Sequence, residues 1–162
     1  MQTLLPLANE LSSLLRERGA TIAVAESSAG GLISAALLAV PGASAYFLGG
    51  AVVYTARARR QLTGITDAAI AGLRSSSEPY ALLLARTLRD DFGSVWGLAE
   101  TGAAGPAGNR YGDAAGHTCC AISGPTEEVL TLETGETDRL DNMHSFAKAA
   151  LELLRKHLSK QP

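Results

Sequence analysis

The sequence predicts an α/β fold, a three-layer α/β/α sandwich around a mixed, mostly parallel sheet. Helical and strand patterns alternate along most of the 162 residues, as expected when helices cover both faces of one sheet. Segments such as "TIAVA" and "SVWGLAE" are short apolar runs, the pattern of strands buried on both sides. A hairpin arrives late, "HTCCAIS" and "EEVLTLE" around a Gly-Pro turn, and it adds antiparallel strands to the sheet.

The elements follow in order. Leu4, Leu7, Leu11, Leu14 and Leu15 share one face and Gly19 stops the pattern, so residues 3–18 read as a helix. Residues 21–25 read as a buried strand and 30–40 as a second helix, ended by Pro41 and Gly42 in a turn over 40–44. "YFLGGAVVYT" (46–55) reads as a strand with a glycine weak point, and 56–74 as short helical pieces interrupted by "TGITD". Ser77 caps the next helix, with Pro79 in its first turn, Tyr80, Leu83, Leu84 and Leu88 along one side, and Gly93 at its end. A strand over 94–100 leads into a glycine-rich loop over 101–116, a length that in a compact domain marks a functional or mobile segment. After the hairpin, residues 138–159 form a closing helix with Phe146, Ala149, Ala150, Leu153 and Leu154 inward.

A chain of this length suits one domain, residues 1–162, able to bury roughly 70% of its unfolded surface. With a net charge of -2 there is no electrostatic reason to expect a nucleic-acid partner. No apolar run approaches the roughly 20 residues of a membrane span, and the first residues lack a signal-peptide pattern. A cytoplasmic protein acting on small molecules is therefore expected, with no membrane partner. Cys119 and Cys120 are adjacent, so a strand points them to opposite faces and no zinc set forms. Neither metal nor cofactor is expected.

Two stretches echo each other. "AVAESSAGG" and "GLAETGAAGP" both run from a strand through Ala-Glu to a hydroxyl residue and then glycine. Both fall at the carboxyl ends of core strands, where open α/β sheets place ligands, so they read as two walls of one site. The turn Ser27-Ser28-Ala29-Gly30-Gly31 offers N–H groups and hydroxyls to an anion, or else a serine caps the helix and the glycines permit the turn. It is not a nucleotide-binding Walker loop, because Lys148, Lys156 and Lys160 all lie in the closing segment. Glu26 and Glu100 either face each other as an acid/base pair or, the commoner arrangement, accept N–H groups from their loops. Arg57, Arg59 and Arg60 form a basic cluster that is either solvated or binds phosphate. Nucleophilic serine chemistry needs a base, yet no G-x-S-x-G elbow or triad spacing exists. His117 alone of the histidines falls near the site, with packing its expected role, and His157 reads as exposed.

"AESSAGGLIS", "VPGASAYFLGGAVVYT", "SSSEP" and "TGAAGPAG" resemble, in order, the successive motifs of the CinA C-terminal domain family across essentially the whole chain. The resemblance implies a self-associating α/β/α domain, hence a homo-oligomer. It also implies a nicotinamide-nucleotide amidohydrolase that converts nicotinamide mononucleotide to nicotinate mononucleotide and ammonia. Its positions fall on Ser27, on Ser44 as the nucleophile, on Tyr54 and on Thr101 at the oxyanion, with Ser28, Gly30, Gly31, Gly102, Gly105 and Arg139 around the nucleotide substrate. The family lysine that would accept the serine proton is Arg59 here, and arginine stays protonated. "DAAGHT" replaces a K-P-V-G-T segment, and Glu100 stands where small or apolar residues are usual. Either Tyr54, Glu100 or His117 takes the proton, or the domain is a catalytically silent nucleotide-binding or self-associating module.

Overall fold

A computed structural model describes residues 1–159; Lys160 and the rest of 160–162 lie outside the described residues. Five helices and five strands occur among them in the expected order: α1 (Leu5–Glu17), β1 (Ile22–Glu26), α2 (Leu32–Leu38), β2 (Phe47–Val52), α3 (Ala56–Thr63), α4 (Glu78–Phe92), β3 (Trp96–Ala103), β4 (His117–Ser123), β5 (Glu127–Glu133) and α5 (Arg139–Leu158). Short 3₁₀ turns, Ala43–Ala45 and Ala68–Ile70, fill two connections. The strands form one sheet in the order β2-β1-β3-β4-β5. β1 pairs in parallel with β2 and β3, whereas β4 is antiparallel to both β3 and β5. Only β4 therefore runs against the common direction, as a late hairpin requires.

Alternation along the central strands separates two cores. Ile22, Val24, Leu98, Cys120 and Ile122 point to the face covered by α1, α2 and α5, where Leu11, Leu15, Leu37 and Phe146 complete a large-residue core. Ala23, Ala25, Ala99 and Ala121 point the other way, onto α4. Small side chains on that face let α4 sit close to the sheet. The extreme is Gly97, where a Cβ would lie 1.9 Å from the Ala85 carbonyl oxygen of α4. Cys119 and Cys120 fall in different cores, as their adjacency in a strand demands.

Several local expectations need correction. β3 continues to Ala103, so Thr101 and Gly102 are strand residues opposite Cys119 and Thr118, and the loop proper begins at Ala104. Ser77 sits at the α4 N-cap, but its hydroxyl donates to the Arg74 carbonyl at 2.7 Å instead of capping. Leu83 and Ala149 are only partly buried, and Ala81 and Ala85 take the inward positions of α4. His157 is not exposed: its ring bonds Glu128 at 2.6 Å and Thr126 at 2.8 Å, and meets Trp96 edge-on. No described helix is long and apolar enough to cross a membrane.

Candidate active site

The carboxyl ends of β1, β2 and β3 open into one cleft of about 420 Å³, a volume suited to a small ligand. Ser27 follows β1, Val53 to Ala56 follow β2, and Thr101 and Gly102 end β3. β1 has its crossover partner on one side and β3 on the other, so this is where an α/β sheet leaves room for a ligand. Ser75 and Ser76 enter from the segment before α4, and Asn109, Arg110 and Tyr111 from the glycine-rich loop.

That loop is organised by its own side chains. Asn109 Oδ1 accepts the N–H groups of Tyr111 and Asp113, and its amide donates to Asp113 at 2.8 Å. An Arg74–Asp113 ion pair ties it to the segment before α4. Arg110 donates to the Tyr111 hydroxyl at 2.9 Å and, together with Ser75, holds that phenol below its usual pKa. Ser75 opens the "SSSEP" motif but was not singled out as a site residue, and the only signal for Asn109, Arg110 and Tyr111 was membership of a long loop.

Glu26 and Glu100 are fully buried, and the structure decides their roles. Glu26 receives N–H groups from Gly31, Ile33 and Ser34 at 2.9–3.0 Å, so a carboxylate rather than a serine caps α2. Glu100 receives the N–H groups of Ser27 and Ala29 at 3.0 and 2.8 Å and the hydroxyls of Ser28 and Thr118. Burial lifts its pKa above the ordinary carboxylate range, against the pull of those four donors. The expected anion nest over residues 27–31 is thus filled from within. Two internal carboxylates take the N–H groups of Ser27, Ala29 and Gly31 and the Ser28 hydroxyl, the Gly30 N–H goes to the Ser27 carbonyl, and Ser28, Gly30 and Gly31 do not line the cleft.

The other expected site residues divide in the same way. Ser27, Tyr54, Arg59, Thr101 and Gly102 line the cleft. Gly102 also has a packing reason, since a Cβ would lie 2.3 Å from the His117 carbonyl oxygen. Arg139 stands behind Tyr54, donating to its hydroxyl at 3.2 Å and to the Gly105 carbonyl at 2.7 Å, so it and Gly105 buttress the wall without lining it. Ser44 is elsewhere, exposed in the 3₁₀ turn that precedes β2 and so at the opposite end of that strand. Arg59, expected in a solvated or phosphate-binding cluster, is 2% exposed. Its guanidinium bonds the Thr66 carbonyl at 2.8 Å and pairs with Asp67, whose pKa it lowers together with Arg60.

His117 lies behind the cleft, not in it. Its Nε2 faces the Ser76 carbonyl at 2.9 Å and its Nδ1 faces Glu133, with Asp113 at 3.8 Å and the Cys119 sulfur at 3.7 Å from Nε2. Acceptors on both nitrogens call for the imidazolium. Burial pulls its pKa down, but Glu133, the Ser76 carbonyl and Asp113 outweigh it and the pKa is raised. The stabilisation this contributes is complete below the ordinary value of 6.5 and is lost as pH rises through the folded value. We expect the urea midpoint to fall as pH rises from the ordinary value of 6.5 through the folded one, and the fall to be smaller in a His117→Gln variant. Equal slopes in the two proteins would refute the assignment.

Among the described residues no group of three or more His, Cys, Asp or Glu side chains could hold a metal ion.

A three-layer α/β domain with a cleft at the carboxyl ends of its parallel strands is the class that the fold and the site define. The model of the CinA C-terminal domain matches residues 4–158, and the chain belongs to that family. It is 40% identical over 149 residues, 91% of its length, to a CinA-like protein of Myxococcus xanthus, and 38% identical over 149 residues to one of Salinibacter ruber. The chain spans about a third of the length of these relatives. Its fold matches the competence-damaged protein (CinA) superfamily protein from Enterobacter cloacae with a TM-score of 0.88 at 28% identity, covering 96% of this chain and 92% of that one. The competence damage-inducible protein A from Klebsiella pneumoniae shares the fold with a TM-score of 0.91 at 24% identity, covering 98% of this chain and 99% of that one.

Proposed function

We propose that the chain is a nicotinamide-nucleotide amidohydrolase, cytoplasmic and homo-oligomeric, that needs no cofactor. The observation that supports this most is the convergence of Ser27, Tyr54, Thr101 and Gly102 from three strand ends on one cleft. In this reading a serine hydroxyl attacks the carboxamide carbon of nicotinamide mononucleotide, the C–N bond breaks and ammonia leaves; because Ser44 stands at the opposite end of β2, the attack falls to Ser27, which lines the cleft. Water then hydrolyses the acyl-enzyme to nicotinate mononucleotide, and Thr101 with nearby N–H groups steadies the oxyanion. The serine proton needs an acceptor. Glu100 is buried and saturated with donors, and both nitrogens of His117 face acceptors. Tyr54 is the one of the three candidates that lines the cleft, and we assign it that role. Arg110 is the cation left to meet the phosphate, since the turn at 27–31 is internally occupied.

One observation favours a second reading. The Arg59 guanidinium is committed to Thr66 and Asp67 and supplies no base, which suits a domain that binds a nucleotide without turning it over. Purified protein incubated with nicotinamide mononucleotide is expected to release ammonia and nicotinate mononucleotide in equal amounts. No release at any pH, with a melting temperature raised by the nucleotide, leaves the silent binder. Neither release nor a melting shift removes both.

A further inference from the structure

Ser76 is the one non-glycine among the described residues with a positive φ, 56°, a conformation that residues carrying a Cβ avoid. Such a backbone persists only where its surroundings hold it. Here both backbone polar groups are held: the N–H donates to Thr101 Oγ1 at 3.3 Å, and the carbonyl accepts from His117 Nε2 at 2.9 Å and from the Cys119 thiol at 3.7 Å. Ser76 is buried, yet it lines the cleft.

The sheet explains how these residues meet. Thr101 lies opposite Cys119 and Ala103 opposite His117, and opposite residues of antiparallel strands share a face, so Thr101, Cys119 and His117 all emerge on the side that α4 covers. Residue 76 stands two positions before α4 begins at Glu78 and crosses that side. His117 is fixed in turn from beyond, where Nδ1 pairs with Glu133 of β5 and Asp113 lies 3.8 Å from Nε2.

We propose that His117, acting through the backbone of Ser76, is a positioning residue that aims the Thr101 hydroxyl at the developing oxyanion. The inference rests on the amidohydrolase reading for what Thr101 meets, but the brace itself does not. A hydroxyl has one proton and two lone pairs. Among the described residues the Thr101 hydroxyl accepts from Ser76 and donates to none, so that bond occupies a lone pair and the proton remains for a ligand in the cleft that Thr101 lines. Without the Ser76 N–H the hydroxyl turns freely, and the order that an oxyanion donor needs before charge develops is lost.

Two amides separate the contacts of the ring. In His117→Gln the side-chain nitrogen falls near the place of Nε2 and still donates to Ser76, whereas in His117→Asn it falls near that of Nδ1 and meets Glu133 instead. A contact made only in the transition state acts on kcat and spares KM. His117→Asn is therefore expected to lower kcat for ammonia release by about tenfold, part of the about 10²–10³-fold that a lost oxyanion donor costs, with KM within about twofold. His117→Gln should recover most of that loss. In a Thr101→Val background, where no hydroxyl is left to aim, the two amide variants should share one kcat. An equal loss in both, or a difference that survives in the Thr101→Val background, overturns the proposal.

Amide hydrogen exchange reads the brace without reference to activity. The Ser76 N–H should exchange about tenfold faster than in wild type in Thr101→Val and in His117→Asn, and near the wild-type rate in His117→Gln, with the Ala99 amide of β3 unchanged throughout. The Thr101→Val comparison stands whether or not the histidine variants fold. If this pattern holds and wild type releases no ammonia, the brace stands and the amidohydrolase reading falls. If Ser76 exchanges equally in wild type and Thr101→Val, the proposal falls whatever the activity.

Discussion

Replacing Glu100 by alanine is expected to destabilise the protein by about 3–5 kcal/mol, the scale of breaking a buried charged network. The carboxylate sits at the centre of four donors, the N–H groups of Ser27 and Ala29 and the hydroxyls of Ser28 and Thr118. Removing it leaves those donors in a dry cavity, where each orphaned group costs about 1–3 kcal/mol before any relaxation. The hydroxyls can turn away and water can enter, which keeps the total below the sum. A Glu100→Gln variant retains the shape and one acceptor oxygen but turns an NH₂ toward two donors, so its loss should be intermediate. Urea unfolding followed by circular dichroism measures both. An alanine variant within 1 kcal/mol of wild type contradicts the assignment. The consequence reaches the cleft, since Ser27 lines it and its backbone is held by this carboxylate.

The second large effect concerns activity. An Arg59→Lys variant is expected to release ammonia faster than wild type, by about 10²-fold, the lower range for adding a positioned general base. The structure adds a condition. Asp67 pairs with the residue-59 cation, and a lysine beside a carboxylate is held in the charged form that cannot accept a proton. Removing that carboxylate in Arg59→Lys/Asp67→Ala should lower the lysine pKa and raise the rate further. The expected order is therefore double variant, single variant, wild type, with the pH profile of the double variant displaced to lower pH. If neither variant exceeds wild type while both melt near it, the reaction does not wait on a base at this position.

Much of the architecture was readable because helix and strand periodicity is set by neighbours in the chain. β4 and β5 begin and end where "HTCCAIS" and "EEVLTLE" do, and the closing helix differs from its expected span by one residue at each end. β3 was read short because Thr101, Gly102 and Ala103 look like loop sequence. They are strand residues because β4 lies alongside, a pairing that no local pattern announces. Arg59 shows the same limit. Its neighbours Arg57 and Arg60 mark an exposed helix face, but Thr66 and Asp67 fold back to receive its guanidinium.

By itself, the sequence determined the order of the elements, the late hairpin, the two strand-end loops that wall the cleft and the family to which the chain belongs. Only the tertiary structure decided what those loops do. The donors of the turn at 27–31 are satisfied by Glu26 close by and by Glu100 more than seventy residues away, and Ser44 stands at the far end of β2 from the cleft. Periodicity is a property of consecutive residues. Which carboxylate meets which N–H, and at which end of the sheet a hydroxyl emerges, follow from strand order and direction, which join residues distant in sequence.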